Sequence, residues 1–274
     1  MKINVYNFQL TKLQGDKMKT ITKILLFTLT ALLVLAGCTK GPSPNLCPTV
    51  CDGLVAYYPF YGDATDKSGN GHDGKVFGAT LTKDRNGYQN HAYLFNGRVN
   101  MIELPKNSEI TDIVRNSYSL LIWVKINDDT QNRLMDLITM MGNHGHNGLL
   151  FQNKGIKFTM DHWVKDKGRE NKLAATRKQY RRGEYHHIVS TIDAMNGVVT
   201  IYIDGVNEGD ISWNVGPEAD QRSGVSWGIG KVHPKNFYAP LSGTVDEVRF
   251  YNRALSADEV KELYLFTSAF PPAE

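Results

Sequence analysis

Between Tyr58 and Gly74 the stretch YPFYGDATDKSGNGHDG sets Asp63, Asp66 and Asp73 among glycines, directly behind an apolar run. Carboxylates in such a loop can hold a hard cation. Asp66, Ser68 and Asn70, followed by Gly71, reproduce the first half of an EF-hand loop, with oxygen ligands at alternate positions and a glycine for the turn. The second half is missing, because Phe77 stands where a bidentate Glu is required and strand-like runs flank the loop. Two readings stay open. A cation could be completed by oxygens from elsewhere in the chain, or the residues serve the turn itself, since Gly permits positive φ and Asp or Asn bonds its own backbone.

Other residues suit sugar binding, where aromatic faces cover CH patches and polar side chains take hydroxyls. Trp163, Trp213 and Trp227 are candidate platforms, with Asn143, His144, His146, His162 and Arg177 as polar partners. Trp163 leads because Asp161, His162 and Lys165 surround it, whereas Trp123 sits in an apolar strand and belongs to the core. His144 and His146 would share one face of a strand and could ligate a transition metal, but their flanking glycines argue for a loop. The basic run RKQYRRG could meet acidic glycans or lipid headgroups, or serve as a solvated strand edge. No G-x-S-x-G, H-E-x-x-H or phosphate-binding glycine loop is present.

The N-terminal stretch carries export chemistry. Lys19 and Lys23 precede an apolar run from Ile24 to Leu35, short for a bilayer span and ending in small residues, as secretory signals do. Residues 1–17, with Asn4, Gln9, Gln14 and Asp16, are an odd prelude to a signal, so Met18 is the better start. Leu35-Ala36-Gly37-Cys38 resembles the bacterial lipobox, in which cleavage before the cysteine leaves a thiol that carries lipid. Removing residues 1–37 takes away five lysines and one aspartate, so the formal charge falls from +3 to −1 and no nucleic-acid footprint remains. Cys47 and Cys51 are then left in an oxidising compartment, where a disulfide is expected. Thr39, in place of an acidic residue, favours the outer membrane or cell surface of the bacterial envelope.

Gly41, Pro42, Ser43, Pro44 and Pro48 make residues 38–53 a tether. Residues 54–266 form one domain and 267–274 a tail. Within the domain, runs such as GLVAYYPF, HAYLFNG, YSLLIWVKI, NGLLFQ, GIKFTM, EYHHIVSTID, GVVTIYIDG, SWGIGK and GTVDEVRFY are rich in β-branched and aromatic residues. Val199, Ile201 and Ile203 alternate with Thr200, Tyr202 and Asp204, the period of a strand with one buried face. The fold expected is all-β, a sandwich of two antiparallel sheets. In LSADEVKELYLF, Ser256 and Glu259 form a capping box, and Leu255, Val260, Leu263 and Tyr264 share one face of a short C-terminal helix.

Several of these phrases together match a known family. The stretch from GLVAYYPF to HAYLFNG, YSLLIWVKI, GEYHHIVSTIDAMNGVVTIYIDGV and LSGTVDEVRFYNRALSADEVKELY resemble, in order, the pieces of bacterial LamG-like domains of the concanavalin A-like lectin/glucanase superfamily. The resemblance implies a jelly-roll sandwich with a curved sheet, a structural calcium ion and often glycan binding. It implies that the closing strand lies beside the opening one, so that Asp246 joins Asp63, Asp66 and, more weakly, Asp73 around the ion. Tyr185 stands where the family commonly has Trp, and the region from Arg133 to Lys178 fits the family pattern poorly. Glucanase relatives carry Glu-x-Asp-x-x-Glu on one strand, but here Glu208 and Asp210 are followed by Trp213, which removes the general acid. No enzymatic activity is therefore expected, and the partner would be a carbohydrate or a surface glycoprotein. The alternative is a structural or protein-binding adhesin or accessory subunit.

Overall fold

The computed structural model describes residues 49–127, 134–142, 145–152, 157–164, 170–212, 226–230 and 240–269. The chain divides into two units, Met1–Lys40 and Gly41–Glu274. The first unit, with Cys38, lies outside the described residues, as do Cys47, Asn143, His144 and Trp213.

In chain order the strands are β1 (Leu54–Tyr58), β2 (Lys75–Phe77), β3 (Thr80–Thr82), β4 (Ala92–Asn96), β5 (Met101–Glu103), β6 (Tyr118–Ile126), β7 (Leu134–Gly142) and β8 (Gly145–Gln152). They continue as β9 (Lys157–Val164), β10 (Glu170–Ala175), β11 (Tyr185–Asp193), β12 (Val198–Ile203), β13 (Val206–Ser212), β14 (Trp227–Ile229) and β15 (Ser242–Tyr251). Among the described residues two helices complete the order, α1 (Ser108–Thr111), which runs into a 3₁₀ turn, and α2 (Ala257–Ala269). Eight strands form one antiparallel sheet in the order β13-β12-β11-β6-β15-β4-β3, with β1 also paired to β15. Seven form the other, β10-β9-β8-β7-β14-β5-β2. The first and last strands are direct neighbours, Tyr57 opposite Arg249 and Tyr58 opposite Val248.

Alternation along the strands builds the core between the sheets. On β6, Leu120, Ile122 and Val124 meet Phe151 of β8, Phe158 and Met160 of β9, and Ile229 of β14 in one buried cluster. Fully burying such side chains contributes roughly 1.5–3 kcal/mol each.

The opposite face of the eight-stranded sheet is covered in turn by α2. Leu255, Val260 and Leu263 pack on Leu54, Tyr57, Leu121, Val189, Tyr202 and Tyr251. The capping box forms as expected: Ser256 N donates to Glu259 Oε2 (2.8 Å) and Glu259 N to Ser256 Oγ (3.2 Å). Arg253 grips the same carboxylate through both terminal nitrogens, at 2.9 and 2.6 Å, and holds Glu259 at about 2, well below the usual carboxylate range. That anchoring is lost as pH falls from about 4.5 towards about 2. Among the described residues no helix is long and apolar enough to cross a membrane.

Candidate functional site

The seven-stranded sheet turns its outer face away from the core, and polar residues gather there. One level of that sheet runs Asp161–Gly148–Thr139–Gly228–Glu103–Lys75 through successive pairings of β9, β8, β7, β14, β5 and β2. Thr159 and Asp161 alternate with the core residues Phe158 and Met160, so strand geometry aims them outward. Asp136, Thr139, Thr159 and Asp161 are all buried. Among the described residues the hydroxyls of Thr139 and Thr159 have no hydrogen-bond partner. Buried polar atoms are rarely left so. Gly148 permits a close approach, since a Cβ there would lie 2.3 Å from Ile138 O and 2.8 Å from Thr139 Cα. At the edge Ser226 Oγ donates to Glu103 Oε1 (2.9 Å).

Sequence-predicted ligand residues lie partly on these strands. His146 is on β8 opposite Met141, while His162 and Trp163 on β9 pair with Lys172 and Asn171. Arg177 is exposed beyond β10, with Nη2 3.4 Å from Asp210 Oδ1. His144 and Trp213 lie outside the described residues. Trp227 is not a platform. Its ring is fully buried, donates Nε1–H to Ile110 O (2.9 Å) and meets Phe250 edge-on at 5.4 Å. Trp123, expected in the core, is buried on the α2-covered face of the larger sheet, under the Arg85 guanidinium at 4.7 Å.

The opening loop is a hydrogen-bonded turn. Asp66 Oδ1 accepts from Tyr57 N (2.9 Å) and Ser68 N (2.8 Å), and Oδ2 from Ser68 Oγ (2.8 Å) and His72 N (3.0 Å). Asp73 Oδ1 accepts from Asp66 N and Asp63 Oδ1 from Thr65 N, each at 2.9 Å. Asp246 Oδ2 instead takes Arg85 N (3.1 Å) and Arg85 Nη1 (2.5 Å). In this structure the carboxylates of Asp63, Asp66 and Asp73 accept donors of the turn, while Asp246 is engaged by Arg85. Among the described residues no group of three or more His, Cys, Asp or Glu is arranged to hold a metal. Cys51 is held in a disulfide.

Two features escaped the sequence reading. One is a buried charged network on the α2-covered face. Fully buried Arg249 donates Nε–H to Glu247 (2.6 Å) and Nη1–H to Thr49 O (3.1 Å), and lies 4.3 Å from the Tyr57 ring. The ring of His187, also fully buried, lies 5.0 Å from Trp123 and 5.8 Å from Tyr264, and neither ring nitrogen finds a partner among the described residues. The charged residues Glu247 and Arg249 alternating through the apolar closing strand were the available signal. The other feature is a ring cluster of Tyr61, Tyr88 and His91, which long-range contacts assemble from separate loops.

Two facing antiparallel sheets with the closing strand beside the opening one define a jelly-roll sandwich. The chain belongs to the concanavalin A-like lectin/glucanases superfamily, whose family model matches residues 96–261. Among solved structures it is similar to domain 4 of an extracellular arabinanase from Geobacillus stearothermophilus, in complex with arabinotriose, at 22% identity over 77% of this chain and 98% of that one, TM-score 0.56. The binding domain of Paraclostridial Mosquitocidal Protein 1 aligns at 20% identity over 79% of this chain and 53% of that one, TM-score 0.64. Trypanosoma rangeli sialidase in complex with sialic acid aligns at 16% identity over 81% of this chain and 34% of that one, TM-score 0.57. At these identities the likeness is one of fold. No curated protein matches the chain.

Proposed function

We propose that this chain is a lipid-anchored, non-catalytic carbohydrate-binding domain of the bacterial envelope, which takes sugar hydroxyls on the outer face of its seven-stranded sheet. The observations that carry this reading are the superfamily and the row of hydroxyls and carboxylates on β7 to β9, where the Thr139 and Thr159 hydroxyls have no partner among the described residues. A saccharide ligand also accords with the arabinotriose bound to the similar arabinanase domain.

The non-catalytic part rests on the residues nearest to the glucanase pattern. Glu208 meets Lys178 Nζ at 2.6 Å and Asp210 lies 3.4 Å from Arg177 Nη2, so each carboxylate has a cationic partner, and Trp213 takes the place of the third. The test is a printed oligosaccharide array probed with the purified chain and with a Thr139→Val/Asp161→Asn double variant. The variant is expected to lose binding by about tenfold or more, corresponding to one or two lost hydrogen bonds, with no reducing ends released from the bound glycans. Equal binding by the two proteins rejects the site, and turnover rejects the non-catalytic assignment. The anchor is tested apart from the ligand: Cys38→Ala is expected to shift the protein from the membrane to the soluble fraction.

A further inference from the structure

A cluster of rings lies in the loops that follow β1 and precede β4 of the eight-stranded sheet. The Tyr61 ring, 46% exposed, lies 4.8 Å from His91, and Tyr88 lies 5.8 Å from His91 on a nearly parallel plane, 27° apart. Tyr61 follows β1, and His91 directly precedes β4. The two loops are fastened through one amide, because Gly62 N is bonded to both Phe60 O (2.8 Å) and Asn90 O (2.9 Å).

The backbone is strained at the two points that set the rings. Phe60 has φ 57° and Asn90 φ 63°, and each immediately precedes a ring of the cluster. A bulky residue such as Phe in the left-handed region is a true outlier, of the kind that gathers at functional sites. Its cause is visible: the Phe60 ring is fully buried, edge-on to Tyr93 at 5.1 Å, so the turn that seats it sends the next residue outward. Tyr88 is set by its turn, where Asp84 Oδ1 accepts from Asn86 N and Tyr88 N, both at 2.8 Å, and Asp84 N donates to Tyr88 O (3.0 Å). Asp84 also lies 3.9 Å from His91 Nδ1.

We infer that Tyr61, Tyr88 and His91 form a preorganised aromatic platform that binds a neutral pyranose ring, a second carbohydrate site apart from the polar level of the other sheet. Asp63, Asn86, Gln89 and Asn90, near the rings in sequence, are exposed and carry acceptors and amides suited to ring hydroxyls. Aromatic faces bordered by amides match a pyranose, which is apolar on its CH face and polar around its rim. Asp63 and Asp84 beside the rings disfavour anionic sugars. Because the rings are fixed beforehand, little side-chain entropy is lost on binding.

The experiment is a printed array of neutral and sialylated oligosaccharides probed with the full chain, followed by calorimetric titration of each oligosaccharide retained. Tyr61→Ala is expected to weaken at least one neutral oligosaccharide by about tenfold, while Tyr61→Phe, which keeps the ring, stays within about twofold. Thr139→Val/Asp161→Asn leaves this contribution in place, so failure of the platform and failure of the polar level are separable. The inference is overturned if Tyr61→Ala binds every retained oligosaccharide as wild type does, if only sialylated sugars or none are retained, or if Tyr61→Phe loses as much as Tyr61→Ala. Should Tyr61→Ala unfold, Tyr88→Ala is judged by the same criterion.

Discussion

Between pH 6.5 and pH 3 the wild-type domain is expected to lose stability relative to a His187→Phe variant by about 1.4 kcal/mol per pH unit. Burial depresses the His187 imidazole from 6.5 to about 3, and the neighbouring Arg249 and Arg85 push it the same way. The unfolded chain therefore takes up a proton that the folded chain refuses, so the contribution is present above 6.5 and is lost as pH falls towards 3. Asp246 acts in the opposite sense. Burial raises its carboxyl from 3.8 to about 7, and its contribution is lost as pH rises through that window. The variant retains Asp246, so the difference between the two proteins isolates His187. Urea midpoints for both at pH 7, 5 and 4, with unchanged m-values, decide the matter; parallel pH dependence would contradict it.

Removing the Asp66 carboxylate should be the most damaging change in the opening loop, at about 3–5 kcal/mol for Asp66→Ala. Four donors converge on this one side chain, and the amides of Tyr57, Ser68 and His72 would be left without it inside a region closed to water. Tyr57 belongs to β1, so the loss reaches the β1–β15 ladder and beyond the turn. Asp66→Asn keeps one acceptor and is expected to lose about half as much. Excess EDTA should leave the thermal midpoint of wild type where it was, because these carboxylates already have donors. A midpoint drop on chelation, or an Asp66→Ala variant as stable as wild type, would show that something else holds the loop.

Strand periodicity made the sandwich legible. Alternation in VVTIYID and the apolar run YSLLIWVKI correspond to β12 and β6, and the Ser256/Glu259 spacing to the cap of α2. Short strands such as β2, β3 and β5 carry three residues each, too few for a period to show. Site residues were harder to read because the deciding contacts are long-range. Trp227 looked like a platform by residue type, yet it shares strand parity with Ile229 and both point into the core. Asp66 carried equal signals for cation and turn, and only the fold brings the Tyr57 amide onto it. Thr139 and Thr159 are unremarkable in sequence and become notable because register puts them on adjoining levels of one face. Tyr61 and His91 are thirty positions apart, and the Gly62–Asn90 contact that joins their loops leaves no local pattern.

The points where the chain joins and leaves the sandwich lie side by side. The Thr49 hydroxyl donates to Glu262 of α2, a few helical turns at most from the last described residue. A short bridge between these ends would need little closure entropy. The sandwich is thus suited to circular permutation, and to being spliced as a cassette into a surface loop of an unrelated host.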